Sequence, residues 1–163
     1  RCIKEGHAHA VKLEGGEIVL PQIRALVAAG IPVMAHLGLT PQSVHQLGGY
    51  KVQGRGAAGD KLLADAIAAE AAGAFAIVVE VVPAQLAAKI ARAVSIPVIG
   101  IGAGNACDGQ VLVWQDLVGL NTDSVAKFVQ PYASVRAEIT DAITNWSRDV
   151  ASGAYPDTAH SYE

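Results

Sequence analysis

The 163-residue chain is poor in aromatics, in charge and in cysteine. Phe, Trp and Tyr make up 5% of it, and Asp, Glu, Lys and Arg 17%. The 12 Lys and Arg are outnumbered by 15 Asp and Glu, giving a formal net charge of −3. Nowhere do the basic residues run together or interleave with aromatics. A phosphate-backbone partner calls for a basic face, so no nucleic-acid partner is expected. No apolar run reaches the roughly eighteen residues of a membrane-spanning helix, and no signal peptide opens the chain. A cytoplasmic protein with no membrane partner is therefore expected. Cys2 and Cys107 form no CxxC or other metal-ligand spacing and read as reduced thiols. There is no initiating methionine either: the chain opens RCIKEG, which reads as the tail of a helix.

What is there in quantity is Ala, Val, Ile and Gly. Apolar residues reach 52%, which excludes disorder and provides for one domain with a core. Short apolar runs alternate with helical patterns. HAVKLEG is the first run, followed by a helix over Glu17–Ala29 with Val19, Ile23, Leu26 and Val27 on one face. Pro32 opens PVMAHLG. A long connection from Leu39 to Gly59 then holds TPQSV, where Thr40 is placed to cap a short turn with Pro41 at its first position. A helix over Asp60–Ala72, the run FAIVVEVVP, a helix AQLAAKIARAV after Pro83, and PVIGIGAG follow. QVLVWQDLVGL is expected to be a fifth strand. Thr122 to Ala151 is expected to be helical with a break near Pro131. No linker or domain boundary is legible.

Continuous apolar strands alternating with helices mean α/β with a parallel sheet. Between a doubly wound sheet and a (β/α)8 barrel, the barrel fits better, because polar residues collect at strand ends, where barrel active sites lie. They are Lys12 and Glu14, His36, Glu80 and the glycines of GIGAG. Residues two apart on a strand share a face, roughly 6–7 Å from one another, so Lys12 and Glu14 are neighbours on the rim. Five strands are fewer than eight, however, and such barrels typically need about 250 residues. The units therefore read as the last five of a barrel, with residues 1–163 as the C-terminal part of one domain.

Each of these residues has a plainer reading. Lys12 and Glu14 make a neutral ion pair on an exposed strand end as readily as a site. Glu80 stands out more, since IVVEVVP sets one carboxylate among six apolar neighbours, where ionisation is harder and basicity greater, as a general base requires. His36 serves equally as a core histidine or as a ligand. His7 and His9 resemble an HxH metal motif but precede the strand, and His9 shares the face of Val11 and Leu13, toward the helices. GIGAG lacks the spacing of a phosphate-binding loop. Cys107 and Asp108 read as turn residues.

Three long segments, GHAHAVKLEGG, VMAHLGLTPQSVHQLGGYKVQGR and IPVIGIGAGNACDGQVLVWQD, closely resemble the ketopantoate hydroxymethyltransferase family, with EAAGAFAIVVEVVPAQLA in order between the last two. The resemblance runs from about residue 6 to the C-terminal PDTAHSYE. It implies a cytoplasmic (β/α)8 TIM barrel of the phosphoenolpyruvate/pyruvate superfamily, commonly a homo-oligomer of ten subunits. The implied reaction moves a hydroxymethyl group from 5,10-methylenetetrahydrofolate to 3-methyl-2-oxobutanoate, through an enolate stabilised by Mg2+ or another divalent metal. By the same resemblance Lys12 and His36 bind substrate, Glu14 belongs to the metal site, and Glu80 is the base that removes the C3 proton.

The family's two principal metal-ligand aspartates, and a serine beside one of them, lie upstream of HAVKLEGG, where this chain has no counterpart. An N-terminally incomplete member with weak metal binding is thus expected. Two rivals stand beside this reading. One is a catalytically inactive partial-barrel scaffold. The other is an aldolase-like lyase with a Schiff base on Lys12, disfavoured because a neighbouring Glu14 keeps the amine protonated and poorly nucleophilic.

Overall fold

The computed structural model describes residues 1–121 and 125–163, and the chain forms two compact units, Arg1–Val111 and Leu112–Glu163. The first unit alternates strand and helix: β1 (Val11–Glu14), α1 (Leu20–Ala28), β2 (Val33–Gly38), α2 (Ala57–Ala71), β3 (Ala76–Glu80), α3 (Ala84–Ala93), β4 (Val98–Ile101) and β5 (Gly109–Gln110). The five strands lie in chain order, and every neighbouring pair is parallel. Local chemistry sets the boundaries. Pro21 stands in the first turn of α1, where its missing N–H leaves no bond unmade, and a single 3-10 turn over Glu17–Val19 leads into it. The turn expected at TPQS is a 3-10 turn over Pro41–Ser43 with Thr40 before it, although the Thr40 side chain makes no capping bond.

Strand periodicity splits the sheet into two faces. Val33, Ala35 and Leu37 of β2, Ile77 and Val79 of β3 and Val98 of β4 point one way. They pack against Ile23 of α1, Ala66 and Ala69 of α2, and Leu86, Ala87 and Ile90 of α3 in one core. The alanines of α2 let that helix lie close to the strands. Ile77 is fully buried there, so Ile77→Val is expected to cost about 0.5–1.5 kcal/mol in urea unfolding, the range for removing one packed methyl group. The opposite face carries Lys12, Glu14, His36 and Glu80. Register sets Glu14 opposite His36 and Gly38 opposite Glu80.

Two expectations about the secondary-structure elements need correction. The fifth strand is only Gly109–Gln110, with one more ladder bond from the Val111 N–H to the Gly100 carbonyl at 3.0 Å. The rest of QVLVWQDLVGL leaves the sheet, and Trp114–Leu117 winds into the short helix α4 of the second unit. A short apolar run does not by itself distinguish strand from helix. The C-terminal helix α5 spans Val135–Ser152 rather than starting at Thr122. Residues 122–124 of that expected helix lie outside the described residues, and Val125–Ser134 is non-helical. Pro131 explains the late start: it lacks an N–H and pushes the residue before it out of helical geometry. Within the second unit the chain around Pro131 is tied back by the Tyr132 N–H to the Leu117 carbonyl, at 2.8 Å.

Candidate active site

Strands β1, β2 and β3 bring four polar side chains together at the C-terminal end of the sheet. Lys12 Nζ donates to His36 Nδ1 at 2.8 Å and lies 3.4 Å from Glu14 Oε1. On the far side of the imidazole, His36 Nε2 lies 3.1 Å from Glu80 Oε2. An ammonium group only donates, so within this pair Nδ1 stands as the acceptor. Glu14 is fixed a second way, since its Oε2 accepts the backbone N–H of Gln42 at 2.9 Å. The 3-10 turn at Pro41–Ser43 thus has a purpose that the sequence did not announce: it aims an amide at a rim carboxylate.

Exposure separates the four roles. The Lys12 side chain is 42% exposed and those of Glu14 and Glu80 15% each, whereas His36 is 4% exposed. A small molecule can reach the lysine and both carboxylates, while the histidine lies beneath them.

Backbone geometry holds Glu80 in place. Val81, immediately after it, takes φ +48, a region that a β-branched side chain rarely enters. Two bonds hold it there: its N–H to the Ile101 carbonyl at 2.8 Å, and its carbonyl to the Gln53 N–H at 2.9 Å. Strain of this kind persists only where surrounding structure enforces it, and it gathers at functional sites. The loop carrying Gln53 is therefore part of the support for Glu80. Beside it Gly38 takes φ +89, and a Cβ there would collide with the Glu80 carbonyl oxygen and come within 2.7 Å of Val82 Cγ1. The glycine pair after Glu14 has a similar cause. Gly16 lies against the Asp65 carboxylate, which accepts the Glu17 N–H at 3.2 Å, so a side chain there would have to displace that carboxylate from its bond.

The remaining candidates lie elsewhere. His7 and His9 are exposed and precede β1; His9 does not reach the helical layer. His45 is exposed. His160, in the second unit, pairs with Asp157 at 2.6 Å and holds that carboxyl below its ordinary range. Asp108 accepts the Val98 N–H at 2.8 Å, a structural tie at the start of β4. Cys107 packs against the core, and its thiol is pushed above the usual range by burial, with the Asp108 charge adding to it. Alkylation of Cys107 by iodoacetamide, followed by peptide mass spectrometry, is accordingly expected to be slow at neutral pH and to rise only above the ordinary thiol range. A cleft of about 270 Å³ is lined by Gly54, Arg55, Asp60, Pro83, Leu86 and Lys89 and shares no residue with the four-residue cluster. Reactive groups rather than volume mark the candidate site.

Among the described residues, no three His, Cys, Asp or Glu side chains converge to hold a metal ion. Glu14 retains free lone pairs, but it is one carboxylate with an amide on one oxygen and the Lys12 ammonium near the other. Mg2+ binds through several oxygens in near-octahedral geometry, and these residues alone do not fit it.

Comparison with known proteins agrees with the resemblance. A sequence model of the family described as "Ketopantoate hydroxymethyltransferase" matches residues 1–158. A 3-methyl-2-oxobutanoate hydroxymethyltransferase of Frankia alni is 59% identical over 162 residues, 99% of this chain and 54% of its own length. Proteins of the same name from Rhodococcus jostii and Mycobacterium tuberculosis are 55% and 56% identical over 99% of this chain, covering 56% and 58% of their lengths. The chain spans little more than half the length of these relatives.

Proposed function

Because this chain belongs to the ketopantoate hydroxymethyltransferase family, we propose that it carries the acid–base machinery of a hydroxymethyl transfer to 3-methyl-2-oxobutanoate. The donor would be 5,10-methylenetetrahydrofolate and the product 2-dehydropantoate, a step toward pantothenate and coenzyme A. The supporting observation is the cluster of Lys12, His36 and Glu80, in which the ammonium meets one imidazole nitrogen at 2.8 Å and a carboxylate oxygen lies 3.1 Å from the other.

In this reading Glu80 removes the C3 proton of the oxo-acid. The electron pair left behind moves onto the keto oxygen, and the Lys12 ammonium stabilises the negative charge that develops there. The enolate carbon attacks the folate methylene, and water supplies the new hydroxyl as tetrahydrofolate leaves. Glu14 offers one carboxylate to a divalent cation, which would add charge stabilisation at the keto oxygen if further ligands came from outside the described residues. A Schiff base on Lys12 is disfavoured, since its amine is engaged as a donor to His36 beside Glu14.

The same reading places both units in one barrel domain. A doubly wound sheet reverses its strand order at a switch point. These strands instead run in chain order, with all three packed helices on one face and the polar cluster on the other. That arrangement suits a sheet that curls closed around its site. Assembly into homo-oligomers is supported by a stripe on α5, where Ile139, Ile143, Trp146 and Val150 are all exposed.

A non-catalytic scaffold is the second reading, favoured by the lack of a three-ligand metal cluster among the described residues. Proton exchange separates the two. In D2O, with and without Mg2+ and without folate, NMR is expected to show loss of the C3 proton signal of 3-methyl-2-oxobutanoate. Absence of exchange from a chain shown to be folded would leave the scaffold.

A further inference from the structure

We infer that His36 is a positioning residue and not a substrate contact: Lys12 holds its ring in the Nε2–H tautomer, and that buried N–H, 3.1 Å from Glu80 Oε2 but not bonded to it here, keeps the carboxylate close. This rests on the reading of Glu80 as the base and deepens it.

Burial is the first argument. At 4% exposure the His36 side chain is covered, whereas those of Lys12 and Glu80 remain accessible. A substrate large enough to span Lys12 and Glu80 meets those two side chains before it meets the ring.

Hydrogen-bond chemistry is the second. Nδ1 receives the Lys12 ammonium at 2.8 Å and has Glu14 Oε1 at 3.7 Å. An occupied lone pair on Nδ1 leaves only Nε2 to carry the proton. Nε2 is fully buried, and Glu80 Oε2 at 3.1 Å lies off its N–H direction, so it has no aligned acceptor in this structure. A buried donor without an acceptor is costly, so a small turn of the Glu80 carboxylate into line with it is favoured. Glu80 is thereby held near the ring without being locked to it. It is free to turn toward a C–H bond, and a tight bond to its lone pairs would make it a poorer base. The strain at Val81 and the close approach of Gly38 fix the backbone below, and His36 sets the side chain.

Two measurements test this. Nitrogen-15 NMR of the free 163-residue chain, labelled at histidine, is expected to show His36 with a protonated-type Nε2 and a bare-type Nδ1. Lys12→Met is expected to abolish that preference. A wild-type ring protonated on Nδ1, or a tautomer unchanged by Lys12→Met, would overturn the inference, and neither result depends on activity. In the exchange assay, His36→Ala is expected to lower the maximal rate about 10²-fold, the scale of a misplaced reacting group, with KM within about twofold of wild type. His36→Gln, whose amide offers an N–H near the same place, is expected to recover part of the rate. A raised KM with an unchanged maximal rate would make His36 a substrate contact after all. Exchange that survives Glu80→Gln would instead remove the reading of Glu80 as base while leaving the tautomer result standing.

Discussion

Glu80→Gln is expected to slow C3 deuterium exchange of 3-methyl-2-oxobutanoate by about 10²–10⁴-fold, the usual contribution of a positioned general base. Gln keeps the size of Glu and can still face His36, so the fold should survive; only the proton acceptor is lost. Far-UV circular dichroism and the urea midpoint provide the control, and both should match wild type. Glu80 is part-buried at the end of β3, outside the apolar core formed on the other face of the sheet. The substitution also removes a negative charge 3.1 Å from the imidazole of His36, so the His36 nitrogen-15 signals should shift even where the rate is already gone. Retention of more than about a tenth of the wild-type rate would be too much for a residue with this role, and the base would have to be sought elsewhere.

Gly38→Ala is expected to be the most destabilising single-methyl change at the site. An alanine forced to φ +89 is in a region costing L-residues about 1–2 kcal/mol. Its Cβ would strike the Glu80 carbonyl oxygen, a backbone atom with no rotamer through which to escape. That oxygen accepts the Leu39 N–H at 2.8 Å, so relief of the clash must break or stretch a bond between β2 and β3. With about 1–3 kcal/mol for the added volume, the loss should reach about 2–5 kcal/mol, a large share of a typical domain's stability. Urea unfolding followed by far-UV circular dichroism measures it. Exchange activity should fall as well, since the displaced backbone carries Glu80. A midpoint within error of wild type would show that the strands separate freely here, and the account of how Glu80 is held would fail.

The sequence was most legible where chemistry is local. Glycine and proline placed the first four strands and three helices to within about three residues at each end, whereas the helix expected from Thr122 with a break near Pro131 begins only at Val135. It failed at QVLVWQDLVGL, where an apolar run of strand-like composition leaves the sheet after Gln110 and becomes α4. Nothing within that run records that β5 pairs with β4 over only two residues. Gln42 was missed for a different reason. Its contribution is a backbone N–H, which every non-proline residue has, and only the placing of the turn made it matter. The strain at Val81 was likewise invisible, because valine next to valine reads as strand.

By itself the sequence determined that Lys12 and Glu14 share a face, that Glu80 closes an apolar strand, and that helices follow strands in a parallel sheet. Those properties come from a period of two, from composition, and from proline and glycine, all of which act over a few neighbouring residues. Tertiary structure alone decided that His36 lies between Lys12 and Glu80. That depends on the register of β1 on β2 and of β2 on β3, which is fixed when the helices bury the opposite face. A slip of one residue would have turned His36 into the core and left the lysine and the carboxylate with nothing between them.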